Sequence, residues 1–184
     1  KFRDYPRSIH YKLWAPMFES ANIPLFLPVA GVSEVVTSNI VLNSGFNGAA
    51  RSCIRGEWPN PCNNCWKCFR KTLVDNRLLS IPTNQEAMEK WIKVREVKYK
   101  LKSWPVSHEN VLAWALKGSL VSGSTASLLL SRLEGSRRDL NLLTKWYPPS
   151  IELIPQEYRK DFEIMVSKKS SIKFSEICLE NPSC

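Results

Sequence analysis

Apolar and polar positions alternate differently in the two halves of the chain. In the segment NIPLFLPVAG, residues 22–31, a short apolar run is followed by proline and glycine, which is typical of a buried strand that leads into a loop. Ser33 then stands where an N-cap is expected, and the helix that it starts is predicted to end near Gly45. A strand, a loop and a helix in this order predict a mixed α/β segment over residues 1–72.

From about residue 65 onward the apolar positions recur with helical spacing. Thr83 and Glu86 form the pattern of a capping box, and an apolar stripe continues from there to Trp104. Further helices are predicted at 107–118, where Ser107 is the expected cap, and at 127–135 and 156–169. Residues 73–184 are therefore predicted to form a helical domain.

Composition places the chain among globular proteins, because 43% of its 184 residues are hydrophobic and 23% are charged. No stretch approaches the roughly 20 apolar residues that cross a bilayer, and the N-terminus has no apolar segment of signal-peptide type. We therefore expect a cytoplasmic protein with no membrane partner. Because the chain starts with Lys1 and not with methionine, we expect it to belong to a longer protein.

Four of the six cysteines lie in SCIRGEWPNPCNNCWKCFRK, residues 52–71. Their spacing is C-x8-C-x2-C-x2-C, and short x2 gaps let neighbouring thiolates converge on one tetrahedral ion. In a reducing cytosol, clustered thiols ligate metals more often than they form disulfides. We predict a structural zinc ion held by Cys53, Cys62, Cys65 and Cys68.

Two alternatives to zinc stay open at this point. An iron–sulfur cluster would share the C-x2-C-x2-C core, although the bacterial ferredoxin pattern continues with a Cys-Pro where this chain has Thr72. A redox dithiol would need one reactive C-x2-C pair, whereas two such pairs overlap here. A closed four-cysteine zinc site keeps no open coordination position, so its expected role is structural.

Positive charge is concentrated near the cysteines. The chain has a formal net charge of +9, and residues 67–102 contain ten Lys or Arg against four Asp or Glu. This excess indicates either a surface for the phosphates of a nucleic acid or nucleotide, or the solvated face of a Lys- and Glu-rich helix. Arg51 and Arg70 flank the cluster and are the candidate phosphate or substrate contacts.

The stretch from LPVAGVSEVVTSNIVLNSG through the cysteines resembles the C-terminal part of the 7-cyano-7-deazaguanine synthases. These enzymes are PP-loop ATP pyrophosphatases of the adenine nucleotide α-hydrolase-like superfamily. The similar segment, residues 27–71, covers about a quarter of the chain. Pro28, Ser33 and Gly45 match family positions, whereas Glu34 replaces the usual lysine and Ile54 replaces an aromatic residue.

The resemblance implies an α/β fold, namely the C-terminal half of a Rossmann-like PP-loop domain followed by an added helical domain. It also implies a ligase that adenylates a carboxylate with ATP and then forms an amide or nitrile, as in queuosine-like biosynthesis. The family's Ser-Gly-Gly-x-Asp-Ser ATP loop is missing, since the sequence contains no Gly-Gly pair. We expect ATP to bind a missing N-terminal part, and we read VSGSTAS, residues 121–127, as a turn between helices.

Two functions are therefore predicted. The first is the zinc-containing part of such an ATP-dependent enzyme, whose partners would be ATP and a small-molecule substrate. The second is a zinc-stabilised module that uses the basic region 67–102 to bind nucleic acid or a partner protein. The sequence does not specify the substrate, the catalytic residues or the oligomeric state.

Overall fold

The computed structural model describes residues 5–23, 25, 27–50, 52–118 and 121–169. Its α-helices are α1 (Ile9–Ser20), α2 (Glu34–Leu42), α3 (Trp66–Leu78), α4 (Gln85–Lys93), α5 (Arg95–Lys102), α6 (Glu109–Leu116), α7 (Ser124–Arg132) and α8 (Gln156–Lys169). Short 3-10 helices span Tyr5–Arg7, Glu134–Arg137, Asn141–Thr144 and Pro148–Leu153. Among the described residues, no helix is both long enough and apolar enough to span a bilayer.

The predicted α/β fold class is wrong, because the described part of the chain is helical. Its only β pairing is one isolated parallel bridge between Thr83 and Val121, and no sheet forms there. Leu25 and Leu27, from the predicted strand, are not in a strand, and Phe26 lies outside the described residues. A strand is stabilised by a hydrogen-bonded neighbour, and no second described segment pairs with this one. The described residues therefore do not form the C-terminal half of a Rossmann-like domain.

Helix α2 begins where the sequence predicts. The hydroxyl oxygen of Ser33 accepts hydrogen bonds from the N–H groups of Val35 at 3.0 Å and Val36 at 3.3 Å. This satisfies two of the donors that a helix N-terminus leaves unpaired, and it confirms Ser33 as the cap. The helix ends at Leu42, a little before the predicted stop at Gly45.

Contacts divide the chain into two units, one comprising residues 1–37 with 144–184 and the other residues 38–143. We call them the first and the second unit. The predicted domain division after residue 72 stays a prediction; residue 72 itself lies within α3. The cysteine cluster and helices α3 to α7 belong to the second unit.

In the first unit, Gly31 lies very close to the segment that contains Tyr147. The N–H of Tyr147 donates to the carbonyl oxygen of Gly31 at 2.8 Å. A Cβ atom at position 31 would overlap the side chains of Ser150 and Trp146, so the approach requires glycine. The ring of Trp146 in turn meets the ring of Phe162 in α8 edge-on, with 5.8 Å between the centroids.

The second unit packs α3 against α5 and α6, and α4 against α5 and α7. Phe69 is fully buried, and its ring lies 5.5 Å from that of Trp66 and 5.8 Å from that of Trp91. The other large side chains that are almost completely buried in this unit are Leu73, Val74, Met88, Val97, Leu112 and Leu133. This core lies directly beside the cysteine cluster, because Phe69 follows Cys68 in α3.

The predicted helix over residues 83–104 is divided into α4 and α5 at Val94, whose backbone is extended. Its cap also differs from the prediction, since the side-chain oxygen of Asn84 accepts from the N–H of Ala87 at 2.9 Å. Thr83 is buried instead, and its hydroxyl accepts from the side-chain amide of Asn76 at 3.0 Å. Packing within the second unit therefore overrides the capping box that the sequence suggests.

Candidate metal centre

The four predicted ligands converge in space. The sulfur atoms of Cys53, Cys62, Cys65 and Cys68 all lie within 4.8 Å of one another, and those of Cys62 and Cys68 are 3.8 Å apart. Zn–S bonds of about 2.3 Å in a regular tetrahedron place the sulfurs about 3.8 Å apart. The arrangement is therefore compact enough to hold one metal ion, as the spacing predicts.

The first turn of α3 fixes two of these cysteines. Cys65 is the N-cap residue, with an extended backbone, and its sulfur accepts a hydrogen bond from the N–H of Cys68 at 3.4 Å. Asn63 adopts a left-handed backbone with φ of 49°, which Asn tolerates better than most residues and which turns the chain within the gap between Cys62 and Cys65.

The longer loop between Cys53 and Cys62 is closed by the backbone. The N–H of Cys62 donates to the sulfur of Cys53 at 3.5 Å. A Cβ atom on Gly56 would lie only 2.6 Å from the backbone nitrogen of Cys62, so the chain can approach itself here only with glycine. The loop thus brings the first and second ligands together although eight residues separate them.

Hydrogen bonds and burial divide the thiols into more and less acidic groups. The N–H groups of Cys62 and Arg55 lower the pKa of Cys53 to about 6, which favours its thiolate form. The N–H of Asn64 lowers the pKa of Cys62, but burial and the thiols of Cys53 and Cys65 outweigh it and raise that pKa overall. Burial, followed by the neighbouring thiols, raises the pKa of Cys68. A bound cation would favour the thiolate form of all four.

The cluster is a closed set of sulfur ligands. Cys65 and Cys68 are buried, and Cys53 and Cys62 are partly buried. In the part of the chain that the structure describes, the group contains these four thiols and no histidine or carboxylate. Four thiolates complete a tetrahedral coordination sphere, so such a site supports the fold and leaves no position for a substrate.

A family model described as "Family of unknown function (DUF6395)" matches residues 13–172, which include the whole cysteine cluster. The chain belongs to this family. Comparison with curated proteins gave no match, and comparison with solved structures gave none either. The function of this DUF6395 member therefore has to be argued from its own residues.

Of the two predicted phosphate contacts of this DUF6395 chain, the structure describes only Arg70. Arg70 lies in α3 and is only 8% exposed, while Arg51 lies outside the described residues. Lys71, also in α3, donates to the carboxylate of Asp75 at 2.7 Å and to the hydroxyl of Ser38 at 3.3 Å. The role of Arg51 and Arg70 as phosphate contacts stays a prediction.

Sequence reasoning missed a contact between α5 and residues 53–65, which we call the cysteine loop. The guanidinium of Arg55 forms an ion pair and hydrogen bond with the carboxylate of Glu96, which raises the pKa of Arg55. Next to this pair, a cleft of about 370 Å³ lies between the cysteine loop and the start of α5 and is lined by Asn64, Val94, Arg95, Glu96 and Tyr99. No local pattern could have found it, because Arg55 and Glu96 are 41 residues apart.

Proposed function

We propose that the four cysteines hold a structural zinc ion. The support for zinc is the donor set, because four thiols whose sulfurs converge within 4.8 Å suit Zn²⁺, which has no redox chemistry of its own. The ion would tie the loop after Cys53 to the first turn of α3, whose next turn carries the buried core residue Phe69. Metal binding and folding of the second unit are therefore coupled in this proposal.

The module that this zinc stabilises binds nucleic acid through the basic surface of α4 and α5. The observation that carries this proposal is the distribution of charge between the two units. Residues 38–143 contain sixteen Lys or Arg and eight Asp or Glu, a net charge of +8, whereas the remaining residues contain ten and nine. Nearly the entire net positive charge of the chain therefore lies in the unit that contains the cysteine cluster.

Much of this charge is exposed, and aromatic side chains lie among the cations. Tyr99 in α5 is 70% exposed and Trp104, just after it, is 63% exposed. The exposed cations of α4 and α5 are Lys90, Lys93, Arg95, Lys98 and Lys102. Cations that neutralise phosphates, together with exposed rings on which bases stack, are the usual components of a surface for nucleic acid.

A charge reversal tests this function. We expect the double variant Lys93→Glu/Lys98→Glu to weaken binding of a fluorescently labelled 20-nucleotide strand by about tenfold or more at 50 mM salt. The dependence of log affinity on log salt should also become shallower by about one or two, because each lost phosphate contact removes about one released counterion. Fluorescence anisotropy between 50 and 200 mM salt measures both quantities.

Lys160→Glu is the matched control, since Lys160 is an exposed lysine of α8 in the first unit. It should leave the affinity and the salt dependence close to those of the original chain. If the double variant binds as well as the control, the basic surface is not the binding site. Preference for an acidic peptide over the strand would instead assign the surface to a partner protein.

The second candidate is the zinc-containing part of an ATP-dependent enzyme similar to 7-cyano-7-deazaguanine synthase. The observation that favours it is that helix α2, capped by Ser33, precedes a cluster of converging cysteines. The spacing of these cysteines resembles that of the synthase family. This candidate places the ATP loop outside the present chain, so the full-length protein must be tested. Release of pyrophosphate from ATP that depends on a carboxylate substrate supports it, and a full-length protein that does not bind ATP contradicts it.

A further inference from the structure

The geometry points to the cleft between the cysteine loop and α5 as a pocket for one unpaired base of a single-stranded nucleic acid, with the base stacked on Tyr99. This inference rests on the proposed nucleic-acid function and specifies the form of nucleic acid that the surface binds. None of the residues that line this cleft is one of the four cysteines.

The cleft has a suitable size and position. Its volume of about 370 Å³ falls within the range of roughly 300–1,000 Å³ that is usual for small-ligand sites. It opens at the break between α4 and α5, where the extended backbone of Val94 interrupts the helix. An apolar residue, Val94, therefore forms one wall, while polar groups from the cysteine loop and α5 form the others.

The lining residues provide the three interactions that hold a nucleotide. Tyr99 offers an exposed ring for stacking, and Arg95 is an exposed cation that can pair with a phosphate. The side-chain amide of Asn64 can donate to and accept from the edge of a base. The carboxylate of Glu96, which would repel phosphate, is already paired with Arg55.

The walls of the cleft are held in place before any ligand arrives. Asn64 lies between the ligands Cys62 and Cys65, and its backbone N–H is close enough to the sulfur of Cys62 to lower the pKa of that thiol, so Asn64 is part of the converging cysteine cluster. The ion pair between Arg55 and Glu96 ties the cysteine loop to α5 on the same side. A preorganised pocket loses less conformational entropy when it binds, which increases affinity.

The surrounding charge defines a path for the backbone of the strand. Lys98 and Lys102 follow Arg95 by three and seven residues in α5, so all three cations lie along the face of the helix that also carries Tyr99. A phosphate backbone can run along this face while one base enters the cleft. Bases within a duplex are stacked and paired with each other, and moving one out of the duplex costs free energy. A single strand can place a base in the cleft at a lower cost.

Replacement of Tyr99 tests the inference. Tyr99→Ala should weaken binding of a 12-nucleotide single strand by about tenfold, because the variant lacks the ring on which the base stacks. Tyr99→Phe should retain most of the affinity, since the ring is kept. Binding of a duplex of the same sequence should change less than twofold in both variants. Anisotropy titrations at one fixed salt concentration measure all of these affinities.

Tyr158→Ala serves as the control, because Tyr158 is a half-exposed tyrosine of α8 in the first unit. It should bind the single strand as the original chain does. If Tyr99→Ala leaves single-strand affinity unchanged while Lys93→Glu/Lys98→Glu weakens it, the base pocket is wrong and the nucleic-acid function stands. If the original chain shows no salt-dependent binding of either nucleic acid, both are wrong.

Discussion

Replacing Cys65 with serine is expected to release the metal and to unfold much of the second unit. Cys65 is buried, supplies one of the four sulfurs and caps α3. Structural zinc sites contribute about 10–16 kcal/mol of apparent binding free energy, as much as or more than the roughly 5–15 kcal/mol that stabilise a whole domain. We therefore expect Cys65→Ser to lower Tm by at least about 10 °C.

Circular dichroism during heating, combined with metal analysis of the same samples, measures both effects. Cys178→Ser is the matched control, because it removes a thiol that lies 110 residues after Cys68 in the sequence. It should keep its metal and its Tm. A Cys65→Ser variant that melts with the control and still carries one metal ion per chain would contradict a four-cysteine site.

Removing the ring of Phe69 should destabilise the second unit by about 3–5 kcal/mol, the usual cost of truncating a buried Phe to Ala. Phe69 is completely buried between the rings of Trp66 and Trp91. Its loss leaves a cavity that these large rings can fill only partly, and each of them loses an aromatic contact. Urea unfolding followed by tryptophan fluorescence measures the change in the free energy of unfolding.

Leu128→Ala provides the comparison for this core variant, because Leu128 in α7 is 66% exposed. Its effect should stay within about 0.5 kcal/mol, as is usual for exposed positions. Phe69→Leu should fall between the two, since leucine fills part of the space. Equal stability of Phe69→Ala and Leu128→Ala would mean that α3 is not the centre of the core.

The cysteine cluster could be predicted because its information is local. Two x2 gaps and one longer loop with Gly56 fall within sixteen residues, and short loops of this kind limit how the chain can run. The structure confirms that Cys53, Cys62, Cys65 and Cys68 converge closely enough for a metal ion. The identity of that metal is a matter of donor chemistry and stays a prediction.

Local signals also predicted several helices and some of their ends. Ser33 caps α2 as expected, and α8 spans the predicted residues 156–169. Ser107, however, does not start α6, because His108 takes the N-cap position with a left-handed backbone. A cap depends on where the preceding chain has to run, and that path is set by packing that the local sequence does not show.

The fold class could not be inferred from a local strand signal. An apolar triplet before Pro28 is compatible with a strand, yet a strand persists only beside a partner, and partner choice is a long-range property. The cleft beside the cluster was missed for a similar reason. Arg55, Glu96 and Tyr99 come together only after the cysteine loop and α5 have packed.

The most direct test is the metal content of the purified chain, measured by mass spectrometry together with its visible absorption spectrum. The account predicts one zinc ion per chain, no absorption in the visible range, and loss of zinc in Cys65→Ser. Iron with visible absorption, or a chain without metal whose four cysteines form disulfides, would contradict it.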